Sequence, residues 1–305
     1  MRAPDTGYRV LDLFMRCRNA YLGITKSQRI LLNNIDSPAL DNKVNLHYWV
    51  SSRETGTGVT YNLGDDLSPI IVEKVLESRG LSLDDCVLET KHLYAVGSIL
   101  SMGYQNATIW GSGFLENLSM IRKFFHHYPL RRLDIRAVRG PYSRDLLIQL
   151  GHECPECYGD PVLLMPLFYE AVPNREIDDF VIIPHFSKEK LYRSVYGDNV
   201  VISMITNDYK SVINRICSAK KVISSSLHGI ILGEAYGVPT LFLRDRPSNK
   251  DFKYLDYYSS TNRKKFSYAD SIEQALIMDP MNAPSNISDC QTQLLQSFPF
   301  DLWDD

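Results

Sequence analysis

Short apolar runs alternate along this chain with amphipathic stretches, and half of the runs end in glycine or serine. Residues 46–50, 92–96, 108–110 and 133–138 read as strands. The second ends at Gly97-Ser98, the third at Gly111-Ser112-Gly113 and the fourth at Arg139-Gly140-Pro141. Helical patterns over 65–78 and 141–150 lie between or after them, with Pro141 suited to a first helical turn and Gly151 to a stop. The alternation resumes with strands over 180–183, 200–205, 221–224 and 240–243, helices over 209–219 and 227–236, and closing helices over 271–278 and 290–298. Strands separated by helices imply parallel sheets. The expectation is an α/β chain of two doubly wound, Rossmann-like domains facing across a cleft. Polar residues 171–179 (AVPNREIDD) serve as linker, dividing residues 1–170 from 171–305. In such sheets ligands bind beyond the carboxyl ends of the strands.

Composition narrows the class. A length of 305 residues suits two domains, and 44% apolar with 23% charged residues suits a globular protein. A net charge of −3 argues against a dedicated nucleic-acid binder. The opening residues lack the apolar core of a signal peptide, so the expected location is cytoplasmic. Residues 8–22 read as an amphipathic helix in a basic stretch. It either docks on a domain with its charges solvated or touches an anionic membrane surface at the inner face of the cytoplasmic membrane. Six scattered cysteines form no disulfide framework, and Cys154-Pro155-Glu156-Cys157 lacks the second pair a zinc site needs.

The strand ends carry the polar groups. In Asn62-Leu63-Gly64-Asp65, glycine permits close approach, and Asn62 and Asp65 can bond hydroxyls unless Asp65 only caps its helix. Arg139, at the turn into a helix, can grip a carboxylate or phosphate, or form a salt bridge. Gly159-Asp160-Pro161 is a turn, and His185 closes the first strand of the second half. Lys253 and Asp256 lie in an aromatic-rich segment suited either to sugar faces or to covering a core. The run Ser224-Ser225-Ser226-Leu227-His228-Gly229 joins a buried strand to a helix. Its serines can cap that helix, and His228 falls in the first turn, where outward N–H groups favour an anion.

In this order the motifs resemble the polysaccharide pyruvyl transferase family. Asn62-Leu63-Gly64-Asp65 is similar to its Asn-x-Gly-Asp motif, Arg139-Gly140-Pro141-Tyr142-Ser143 to its Arg-x-x-x-Ser turn, and Gly159-Asp160-Pro161 to its Gly-Asp-Pro motif. Ser225-Ser226-Leu227-His228-Gly229 with Ala235-Tyr236-Gly237-Val238-Pro239 resembles its Leu-His-Gly block. Ile183-Pro184-His185 and residues 253–256 resemble the subgroup acting in bacterial exopolysaccharide synthesis. One departure is Ser226, where relatives often carry arginine; Arg244 or Lys253 could supply the missing cation.

The resemblance implies a GT-B-like fold and transfer of a pyruvyl unit from phosphoenolpyruvate to a sugar, usually as a cyclic ketal, with no cofactor and no metal. On this reading Arg139, Ser143, Ser225, Ser226, Leu227, His185 and Lys253 surround the donor. Asn62, Gly64 and Ser112 face the acceptor, which is free or lipid-linked. His228 is the candidate acid: the helix N-terminus lowers its pKa, and a bound phosphate dianion raises it again. Asp65 orients or deprotonates the acceptor hydroxyl. The alternatives are a nucleotide-sugar glycosyltransferase and a non-catalytic sugar-binding relative. Against the former, the retaining Glu-x7-Glu pattern is absent, since Phe242 stands eight residues after Glu234, and no Asp-x-Asp occurs.

Overall fold

The computed structural model describes residues 43–49, 61–102, 106–117, 132–173, 178–245, 251–263, 266–281 and 283–304. The expected amphipathic helix over 8–22 and part of the linker lie outside the described residues.

Among the described residues, two four-stranded, wholly parallel sheets organise the fold. The first contains β1 (Val44–His47), β2 (Lys91–Tyr94), β3 (Ala107–Trp110) and β4 (Leu133–Ala137), in that order. The second contains β5 (Val181–Ile183), β6 (Val222–Ser224), β7 (Thr240–Leu243) and β8 (Tyr268–Ala269). The expected strand over 200–205 is corrected: only Val201 pairs, in an isolated parallel bridge to Ile182 on the free side of β5. The chain therefore leaves β5 toward that bridge and returns through the helix Tyr209–Cys217 to β6 on the opposite side. The reversal places the loops after β5 and β6, with His185 and Ser225, at the point where such sheets open a crevice.

The connecting helices are α1 (Leu63–Glu77), α2 (Pro141–Gln149), α3 (Met165–Phe168), α4 (Glu189–Tyr196), α5 (Tyr209–Cys217), α6 (Leu227–Ala235), α7 (Phe252–Ser260), α8 (Ile272–Ile277) and α9 (Ile287–Gln296). Leu63, Leu67, Ile71, Val72 and Val75 form the buried stripe of α1. They share one apolar cluster with Val181 and Ile183 of β5 and Ile230 and Ile231 of α6, so the core continues between the two sheets. The start of α1 is tied across as well: the Leu63 N–H donates to the Met204 carbonyl at 2.8 Å. The end of the chain returns to the first sheet. There the Trp110 indole N–H donates to the Leu294 carbonyl at 2.8 Å, and Phe298 meets the Trp110 ring edge-on. Among the described residues no helix is long and apolar enough to cross a membrane.

Candidate active site

The first turns of α1 and α6 touch. Gly64 is the second residue of one helix and His228 the second residue of the other. A Cβ on Gly64 would stand 2.0 Å from His228 Nδ1, so only glycine leaves room for the ring here. Each first turn presents N–H groups and the positive end of a helix dipole.

The two titratable groups at this junction are displaced in opposite directions. Burial pushes the Asp65 carboxyl up to about 7, with Asp66 and Asp160 adding to the rise while Lys253 and a 2.5 Å hydrogen bond from the Asn62 amide oppose it. Burial likewise drives the His228 imidazole down to about 3, helped by the positive charges of Lys253 and Arg139. Low polarity disfavours whichever form is charged, so at rest the imidazole is neutral and the carboxyl holds its proton up to about neutral pH. His228 Nε2 is shut from solvent and has no hydrogen-bond partner among the described residues. Such a group ordinarily costs about 1–3 kcal/mol.

The helix starts are built differently. At α1 the capping carboxylate is Asp66, which accepts the Asn62 backbone N–H at 3.0 Å, and this frees Asp65 from capping. Asp65 instead presses one oxygen toward Gly97, which adopts φ +119. At α6 the three serines divide the work. Ser226 caps through the Gly229 N–H at 3.4 Å, Ser224 Oγ accepts the Ser226 N–H at 3.0 Å, and Ser225 Oγ accepts the His185 N–H at 2.9 Å. The last bond ties the loops after β5 and β6 together. His185 engages Ser187 through its ring, which lies tilted against the Phe186 ring at 4.2 Å. Leu227 is buried.

Arg139 was expected to grip an anion, but the structure gives it a protein partner. It and Asp256 are both 0% exposed and form an ion pair at 3.0 Å. The remaining guanidinium contacts go to Ser98 Oγ at 2.6 Å and the Phe114 carbonyl at 2.5 Å. Asp256 also accepts from the Ser143 backbone N–H at 2.8 Å and the Ser143 hydroxyl at 2.6 Å. Arg139 and Ser143 thus anchor α2 of the first half to α7 of the second, and Arg139 reaches His228 through its charge. Ser112 is also buried and internally paired, donating to the Ala95 carbonyl at 2.6 Å. Lys253, one turn before Asp256, lies over the Tyr254 ring at 5.0 Å, and its charge acts on both Asp65 and His228. Arg244 points elsewhere, pairing with Asp270 at 2.9 Å.

Asp160 also belongs to this region; the sequence presents it as a turn and as part of the Gly-Asp-Pro motif, with no role of its own. It is wholly buried, one oxygen accepts the Val162 N–H at 3.1 Å, and the other has no partner. Burial raises it to about 6 against the pull of Arg139. Its side-chain type within Gly-Asp-Pro was a visible signal, but its burial beside Asp65 was not. The Cys154 thiol is raised to about 12 by burial, which leaves it protonated and unreactive at neutral pH.

The family model for polysaccharide pyruvyl transferase matches residues 62–247, the segment that begins at Asn62 and extends past α6 and β7. An uncharacterized protein of Acanthamoeba polyphaga mimivirus is 28% identical over 228 residues, covering 71% of this chain and 74% of its own. The crystal structure of a functionally uncharacterized Klebsiella pneumoniae protein aligns over 81% of this chain and 100% of its own, with 12% identity and a TM-score of 0.44.

Proposed function

The chain belongs to the polysaccharide pyruvyl transferase family, and on that premise we propose that it transfers a pyruvyl unit from phosphoenolpyruvate to a saccharide, forming a pyruvate ketal. We take the two parallel sheets as the two Rossmann-like units of a GT-B-like arrangement. Residues 1–170 form the acceptor side, residues 171–305 the donor side, and the last helix returns to the first unit.

One observation carries the assignment of the site: among the described residues His228 Nε2 lies buried and unpartnered where two helix N-termini meet, within reach of the charges of Lys253 and Arg139. This positive environment stabilises an anion and disfavours an imidazolium. A phosphorylated three-carbon acid supplies the charge that the site lacks, and its phosphate gives Nε2 a partner. The arriving dianion raises the imidazole pKa from its resting value, which lets His228 carry a proton only in the complex.

The bond changes balance without a further reactant. A proton adds to the methylene C3, and C2 gains carbocation character. One saccharide hydroxyl attacks C2, the C2–O bond to phosphate breaks, and a second hydroxyl closes the ring. The two hydroxyl protons end on C3 and on the released phosphate. Asp65, with a pKa near the working pH, is suited to accept the proton of the attacking hydroxyl. A matched acid or base contributes about 10²–10⁴-fold. Asn62 orients Asp65, and Ser225 with His185 fixes the loops around the donor. The reaction is placed on the cytoplasmic side, where the acceptor is free or lipid-linked.

The test is incubation of candidate oligosaccharides, free and lipid-linked, with protein and phosphoenolpyruvate. The reading expects a mass gain of one pyruvate less one water with release of inorganic phosphate, and loss of that product in His228→Ala. Stabilisation against heat by a UDP-sugar and not by phosphoenolpyruvate would contradict it.

A further inference from the structure

The two faces of the second sheet are covered unequally. On one side α5 and α6 complete the shared core. On the other, Ile182, Ile223, Leu241 and Leu243 are covered by Tyr192 and Tyr196 of α4 and by Ile272 and Ala275 of α8. The connection from β7 to β8 runs through α7, which is anchored to α2 by Asp256 and so leaves this face. Between α4 and α8, outside the carboxyl ends of β7 and β8, a cavity of about 580 Å³ remains open. That volume is in the range of small-molecule sites.

Its walls are chemically specific. The rings of Tyr192 and Tyr196 are stacked at 6.1 Å and 20°. Arg244 donates to Asp270 at 2.9 and 3.0 Å, and the Tyr196 hydroxyl donates to Glu273 at 3.1 Å. The Arg244 charge is matched by Asp270, and that of Lys188, which also lines the cavity, by Asp245 at 3.7 Å, so the cavity offers an anion little. What it offers is flat phenol rings beside carboxylate oxygens and guanidinium N–H groups with bonding capacity left over. A sugar matches both: its C–H face packs on a ring, and each hydroxyl both donates and accepts.

We propose that this cavity binds a neutral saccharide, the part of the acceptor chain remote from the reacting unit, so that the acceptor extends from the first half, where its reacting unit sits, onto the second. The remoteness rests on the functional reading above; the binding itself does not. The link to the reacting site is Asp245, whose Oδ2 accepts from the Tyr192 hydroxyl at 3.4 Å and from the Ser225 hydroxyl at 3.1 Å. One carboxylate thus joins the cavity wall to the loop that leads into His228.

Val195 lines the cavity and is 63% exposed, so Val195→Trp fills the space without entering the core. Saturation-transfer NMR and titration with neutral galacto-, gluco- and manno-configured di- and tetrasaccharides test the site in wild type, Val195→Trp and Tyr196→Ala, without donor. The expected result is millimolar or tighter binding of at least one tetrasaccharide, weakened tenfold or more in both variants, with the melting temperature of Val195→Trp unchanged. Absence of binding across the panel, binding that persists in both variants, or binding of uridine in place of the sugars overturns the proposal. Thermal stabilisation by phosphoenolpyruvate, measured on the same proteins, separates the two ideas. Equal stabilisation in wild type and Val195→Trp without saccharide binding removes only this site. Saccharide binding without donor stabilisation removes only the donor reading.

Discussion

The helix that begins at Leu63 and the helix that begins at Leu227 meet at their first turns and treat their titratable residues in opposite ways. One buries a carboxyl, raised to about 7; the other buries an imidazole, lowered to about 3. The same physical cause, removal from water, neutralises both. The lesson is that this junction is positive through its backbone, Lys253 and Arg139, while its reactive side chains are uncharged at rest. A site of that kind is completed by an anionic ligand.

The comparison depends on the two halves staying in register, and the largest expected effect comes from removing their anchor. Asp256→Ala leaves the buried Arg139 charge uncompensated, which should cost about 3–5 kcal/mol in denaturant unfolding. An unchanged midpoint would show that the pair does not hold the junction together.

Next, Asp65→Asn isolates the acidic side. The folded pKa of about 7 lies above the ordinary carboxyl value of about 3.9. Any stabilising contribution of the protonated carboxyl is therefore present below pH 4 and lost as pH rises through 7. The variant should match wild type at pH 4 and exceed it by about 2–4 kcal/mol at pH 8. His228 has the opposite sign. Its folded pKa of about 3 lies below 6.5, so its contribution is present above pH 6.5 and lost as pH falls toward 3. Replacing His228 by Gln should flatten that acid limb in a melting-temperature series; an unaltered limb would place the titration elsewhere.

A smaller effect tests the contact itself. Gly64→Ala drives a methyl group into His228, which should cost about 1–3 kcal/mol. The double variant Gly64→Ala, His228→Ala should recover most of that loss, since the ring is gone. A double variant as unstable as the single would show that the clash lies with something other than the imidazole.

Much of the fold was legible in the sequence because the signals were local. Apolar runs marked β2 to β7, those of β2, β3 and β6 ending in glycine or serine, and Pro141 and Ser226 marked the starts of α2 and α6. The run over 200–205 misled because its apolar residues pack against the core while only Val201 joins a sheet. At the site, the helix starts and His228 were visible, since capping chemistry is short-range. The role of Arg139 was not: its partner Asp256 lies 117 residues away, and a buried ion pair looks in sequence like any arginine at a strand end. The close packing of His228 on Gly64 was equally hidden, because it exists only once two distant helix starts are brought together.

The most direct measurement is ¹⁵N NMR of the His228 imidazole between pH 5 and 8, with and without phosphoenolpyruvate. A neutral ring throughout that range in the free protein, whose Nε2 signal moves when the donor is added, is the predicted result. An ordinary titration near pH 6.5 that the donor leaves untouched would contradict the account.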